Sequence, residues 1–109
     1  MNTDDFRRLA LSFPDTIESA HMNHPDFRAN GKIFATLPNP DNGWAMVKLP
    51  PDQQQAFLEL DPTIFVPVNG AWGRQGATNV LLKKVKEESL TGALTLAWQN
   101  ATQKKPRKK

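Results

Sequence analysis

Residues 26–37, DFRANGKIFATL, restrict the fold more than any other stretch of this chain. Asn and Gly both tolerate positive φ, so Asn30-Gly31 suits a two-residue type I′ turn between two strands. That turn places Ala29 opposite Lys32 and Arg28 opposite Ile33. Side chains alternate along a strand, so Arg28 and Lys32 are expected on opposite faces, flanking a protruding tip. A plain alternative is that Lys32 is a solvated turn residue and Arg28 pairs with Asp26 or another acid. An isolated hairpin is marginal in water, so more strands and a cover are required. Residues 39–43, NPDNG, read as a second turn and WAMVKL as a third strand, which extends the hairpin into a meander.

Helices must supply the cover. Thr3 is placed to cap a first helix, with Asp4 and Asp5 near its positive end. Phe6, Leu9, Ala10 and Phe13 form its apolar stripe, and Pro14 stops it. Pro51 suits the first position of a second helix, with Ala56, Phe57 and Leu60 as the expected buried side and Pro62 as the stop. TIFVPV and ATNVLL read as two further strands, with Pro67 confining the first to an edge. A last helix starts near Glu87 and Glu88. Leu90, Ala93, Leu94, Ala97, Trp98 and Ala101 line one side of it, and Gly92 weakens it. The expected class is therefore α+β. It has an antiparallel sheet of about five strands and three helices in the order α-β-β-β-α-β-β-α. Residues 1–102 form the domain and residues 103–109 a flexible basic tail.

Charge divides the same way. The chain carries 14 basic and 11 acidic residues, a formal +3. Five of the basic ones lie in the closing KKPRKK, leaving the body nine against eleven, or −2. The basic character belongs to the tail, where Lys104, Lys105, Arg107, Lys108 and Lys109 are the cations. There is no cysteine, which removes disulfides and thiolate chemistry and fits a cytoplasmic protein. No apolar run approaches a membrane span and no secretory leader is readable.

Catalytic patterns do not stand out. No nucleophile elbow, zinc-protease helix or phosphate-binding glycine loop occurs, and the carboxylates fall mostly at helix starts. No enzyme activity, cofactor or metal is expected. His21 and His24 with Asp26 form the one combination resembling a metal set. Pro25 argues for extended chain there, and residues three apart on a strand point to opposite faces. Residues 66–80, VPVNGAWGRQGATNV, read as a loop too irregular for a helix. Trp72 either folds back to pin it or stands exposed beside Arg74 as a stacking surface. Lys83, Lys84 and Lys86 follow the last strand, where a solvated rim is the plainer reading.

HPDFRANGKIFATL, then VKL before a short helix, then GAWGRQGATNVLL and a terminal helix with AW, together resemble the MmcQ/YjbR family over roughly residues 6–101. The resemblance implies a small α+β domain with two projecting β-hairpins, a double wing, commonly described as DNA-binding. On this chain the wings would be residues 26–37 and 65–82. The resemblance gives Trp72 the part of anchor for the second tip. Arg28, Lys32, Trp72, Arg74, Lys83, Lys84 and the tail cations are the expected nucleic-acid contacts. The expected function is weak, largely sequence-nonspecific DNA binding through phosphates. The alternatives are a protein-interaction module or homodimer, marked by exposed Trp44, Met46 or Leu96, and a small-ligand-binding protein with a pocket near Trp72, His21 and His24.

Overall fold

The computed structural model describes residues 1–21, 24–39 and 43–102. Its elements run α1 (Thr3–Leu11), β1 (Thr16–His21), β2 (His24–Ala29), β3 (Lys32–Asn39), β4 (Trp44–Lys48), α2 (Pro51–Leu60), β5 (Phe65–Pro67), α3 (Ala71–Arg74), β6 (Ala77–Leu81) and α4 (Glu87–Thr102). The strands make one antiparallel sheet in the order β1-β2-β3-β4-β6-β5. The class is the α+β expected, with a sixth strand and a fourth, one-turn helix added. The added strand β1 sits at the sheet edge. Its largest apolar residue, Ile17, is 61% exposed. Pairing with β2 holds this strand, so its sequence carries no burial pattern to read.

Register sets one face of the sheet. Phe27 pairs with Ala35, Ala35 with Val47 and Val47 with Thr78, so the four share a row, and all are buried. The longer helices cover that face. Phe6 of α1 meets Phe27 edge-on at 5.8 Å between centroids, and Phe57 of α2 meets Phe65 at 5.2 Å. Leu90, Ala93, Leu94 and Ala97 of α4 complete the core. Each fully buried phenylalanine (Phe6, Phe27, Phe34, Phe65) contributes about 1.5–3 kcal/mol relative to exposure. Trp98 stacks on Phe13 at 5.8 Å and donates its indole N–H to the Pro14 carbonyl at 3.0 Å, which ties α4 to the end of α1.

Two local expectations shift. Asn2, not Thr3, caps α1. Its side chain accepts from the Asp5 N–H at 2.8 Å, and the Asp5 carboxylate accepts from the Asn2 N–H at 3.0 Å. This reciprocal pair satisfies two helix-end donors, with Thr3 already inside the first turn. The Asp5 carboxyl is held below its ordinary value, first by this backbone hydrogen bond and then by Arg8. On α2, Ala56 and Leu60 are exposed, Leu60 at 62%. Gln54, Phe57 and Leu58 are the half-buried side instead. Of the expected triplet only Phe57 turns inward, because the helix is rotated so that Gln54 reaches the sheet.

The register also fixes which loops are neighbours. Lys48 lies opposite Ala77, Val47 opposite Ala35, and Pro67 opposite Thr78. The β2–β3 turn, the end of β4 and the β5–β6 connection therefore share one end of the sheet. Their midpoints are three strand spacings apart, about 14 Å.

Candidate nucleic-acid interface

The first tip is Asn30-Gly31, with φ of 55° and 76°. Ala29 pairs with Lys32 and Arg28 with Ile33, as the turn chemistry requires. Beyond this the register shifts, since Phe27 pairs with Ala35, so β3 carries Phe34 as an extra residue. Arg28 grips Asp26 two residues earlier on the same face, Nε to one carboxylate oxygen at 2.8 Å and a terminal nitrogen to the other at 3.2 Å. Asp26 is fully buried while the Arg28 side chain is 34% exposed. Hydrogen bonding to Asp26 raises the guanidinium further above its ordinary value. Arg28 is thus a fixed, largely neutralised lining group. Lys32 is exposed, and no ion pair joins it to another described residue.

The second tip is not the irregular loop its glycines suggest. Residues 71–74 form the one-turn helix α3, entered through Gly70 at φ 79°. Contacts from elsewhere in the chain hold it. The Gln54 side-chain amide of α2 lies 3.0 Å from the Gly73 carbonyl, 3.0 Å from Thr78 Oγ1 and 3.3 Å from the Ala77 carbonyl. A Cβ on Gly73 would fall 1.8 Å from the Val68 carbonyl oxygen, and one on Gly76 1.8 Å from that of Leu49. Only hydrogen fits at these two approaches. The expected anchoring role of Trp72 is thereby corrected. Trp72 is 61% exposed, and the tip is pinned by Gln54, Gly73 and Gly76. The indole's ring contact is with Lys48, whose ammonium lies over it at 5.3 Å from the centroid.

An open depression of about 440 Å³ lies at this end, lined by Arg28, Lys32 and Lys48 together with Asn100 and Ala101 of the last turn of α4. Among the described residues no acidic side chain lines it. Arg28 and Lys32 alternate along the hairpin yet border the same hollow, because it sits at the end of the sheet rather than on one face. An adjoining hollow of about 100 Å³ has Lys48, Trp72 and Asn100 in its wall. Lys48 and Asn100 thus join the cationic depression to the exposed ring. Sequence reading missed Lys48, taking it only as the end of a strand. Its place between the tips follows from strand order, which no local pattern in WAMVKL reveals.

The other expected contacts are distributed differently. Arg74 is exposed on α3 and has no ion pair among the described residues. Lys83 and Lys84 follow β6 at the opposite end of the sheet, where Leu81 pairs with Trp44. Lys84 lines a separate depression there with Leu60, Asp61 and Ile64. The Asp61 carboxyl is lowered chiefly by hydrogen bonds from Thr63, with Lys84 a smaller cause. Lys104, Lys105, Arg107, Lys108 and Lys109 lie outside the described residues. His21 and His24 do not share one strand. Both lie on extended chain, as expected, but on two strands that pair across the β1–β2 hairpin, which corrects the opposite-face reading. Among the described residues no three His, Asp or Glu side chains are grouped to hold a metal, and no helix is long and apolar enough to cross a membrane.

Two solved structures share the fold. DR2400 of Deinococcus radiodurans, with a DUF419 domain, is 17% identical and aligns with a TM-score of 0.79, over 94% of this chain and 80% of its own. A structural-genomics protein from Pseudomonas syringae is 16% identical with a TM-score of 0.69, over 93% of this chain and 99% of its own. No curated protein matches. The YjbR family model matches residues 11–100, which span both tips and the sheet between them. On that match this chain belongs to the YjbR family.

Proposed function

We propose that the wing end of the sheet binds nucleic acid, weakly and largely without regard to sequence, by contacting phosphates. The observation that carries this reading is convergence: both tips and the end of β4 bring Lys32, Lys48 and the exposed Trp72 to one end, around two adjoining hollows that no acidic side chain lines among the described residues. Lys32 and Lys48 have no carboxylate partner among the described residues, so their ammonium groups are available as point charges. Arg28 is already matched by Asp26, and the body is net negative, so these contacts alone give modest affinity. Among the described residues no base-reading helix is evident at this end: α3 has only four residues, and α4 reaches it only with its last turn. The reading is of a binding protein, not a catalyst.

The five tail cations would supply most of the attraction. If all five meet phosphates, log K falls against log salt with a slope of about −4.5. Between ~50 and ~200 mM salt, binding would weaken several-hundred-fold. Fluorescence anisotropy with a labelled duplex, comparing the full chain with one lacking residues 103–109, tests this directly. Tail removal is expected to abolish most of the affinity, and Lys32→Ala or Arg74→Ala to cause smaller losses. Undiminished, salt-sensitive binding without the tail would transfer the credit to the wings. No binding by the full chain at low salt retires the reading.

Self-association is the second reading. Trp44, Met46 and Leu96, its expected marks, are half-buried. Its support is instead the edge strand β1, with Ile17 61% exposed and one side of its backbone free for a further strand. A tight dimer by sedimentation, without retardation of DNA, would favour it.

A further inference from the structure

Resting on the phosphate-contacting reading above, we propose that the preferred ligand of the wing end is single-stranded nucleic acid. One unpaired base would stack on the face of Trp72 that Lys48 does not cover, while an adjacent phosphate lies against Lys48 and Lys32. Three observations point this way. The first is display. Trp72 is 61% exposed, yet it stands on a turn clamped by Gln54 and by two backbone approaches that admit only glycine. A large aromatic side chain held outward on a fixed platform is a stacking surface that needs little ordering on binding. The second is adjacency. The Lys48 ammonium lies 5.3 Å from the ring centroid, and Lys48 and Asn100 belong to the walls of both hollows. A base site and a phosphate site are therefore contiguous, as successive parts of one nucleotide strand demand. The third is size. A depression of about 440 Å³ lies in the range of pockets that hold small ligands and is large enough for one nucleotide unit.

Charge alone predicts the opposite ranking. Duplex DNA has the denser phosphate array and the steeper counterion release, so a purely electrostatic surface favours it. In a duplex the base faces are covered by their neighbours, and Trp72 contributes nothing by stacking. A preference for single strands would therefore report the ring rather than the cations.

The experiment uses the full chain at one low salt concentration and three labelled ligands of equal length. These are an oligothymidylate, a duplex, and an abasic single strand that keeps the phosphates and lacks the bases. Stacking of a base on an aromatic side chain is worth about 5- to 150-fold in affinity. With one exposed ring, the expected advantage of oligothymidylate over the abasic strand is about five- to tenfold. Trp72→Ala is expected to reduce oligothymidylate binding to the abasic level and leave the duplex little changed. Trp72→Phe is expected to keep part of the advantage. Equal binding of oligothymidylate and abasic strand, tighter binding of the duplex, or a uniform loss in Trp72→Ala would overturn this inference and leave the phosphate reading standing. Absence of binding to all three would remove both. Because the ring is exposed, the unchanged melting temperature of Trp72→Ala serves as the control for folding.

Discussion

The first tip is two residues long and carries its shape in its own chemistry, whereas the second spans Gly70 to Gly76 and takes its shape from the rest of the molecule. Asn30 and Gly31 adopt positive φ, and nothing outside the hairpin presses on Gly31. The second tip depends on Gln54, sixteen residues before Gly70 in the chain, and on the backbone carbonyls of Val68 and Leu49. The two reach the same end of one sheet by local and by tertiary means. The difference predicts where each is vulnerable. The second tip should be sensitive to changes that crowd or unpin it, and the first only to changes in its turn residues.

The largest effect is expected at Gly76. Alanine there meets the Leu49 carbonyl and must also accept a φ of 109°. Crowding and backbone strain together should cost about 3 kcal/mol or more. A chain of this size would then lose on the order of 10–20 °C in melting temperature. A shift of only a few degrees would mean that the second tip is not clamped. Gln54→Ala comes next. It strips the side-chain amide from three acceptors, at a cost of about 1–3 kcal/mol measured by urea unfolding. Gly31→Ala should cost about 1 kcal/mol, because the strain is in φ alone and the space is open. Asn30→Gly at the neighbouring position should be close to neutral. Smallest of all, Lys32→Ala and Trp72→Ala should change stability by less than about 0.5 kcal/mol. Their consequence should appear in ligand affinity instead. A large stability loss in Trp72→Ala would restore the anchoring role and break the contrast between the tips.

The same contrast explains what the sequence made legible. Asn30-Gly31 announces its turn type and its register, so Ala29 opposite Lys32 could be written down unaided. The face of α4 was equally readable, because Leu90, Ala93, Leu94, Ala97 and Ala101 recur at helical spacing and all are buried. The Arg28–Asp26 pair matches the plain alternative in which Arg28 pairs with Asp26 or another acid. Where tertiary contacts decide, the reading went astray. Glycines in residues 70–76 argue locally against a helix, but Gly73 is there to let the α3 turn lie against Val68. Gln54 looks like a solvent residue until the sheet is in place. β1 has little apolar signal because an edge strand is held by hydrogen bonds. Of the candidate site, Arg28, Lys32 and Trp72 were found from their types and positions. Lys48 was not, because its role depends on strand order and no feature of WAMVKL reveals that β6 rather than β5 lies beside it. Lys83 and Lys84, expected among the contacts, follow β6, and the register of β4 with β6 places them at the far end.

The outward placement of Trp72 also equips the protein with its own optical reporter. Trp44 and Trp98 are half-buried, so an iodide quencher reaches Trp72 first, and the cationic Lys48 beside the ring gathers the anion. Emission should therefore divide into a readily quenched, red-shifted component and two shielded ones. Loss of the first on addition of a ligand would register occupancy of this end without any attached dye.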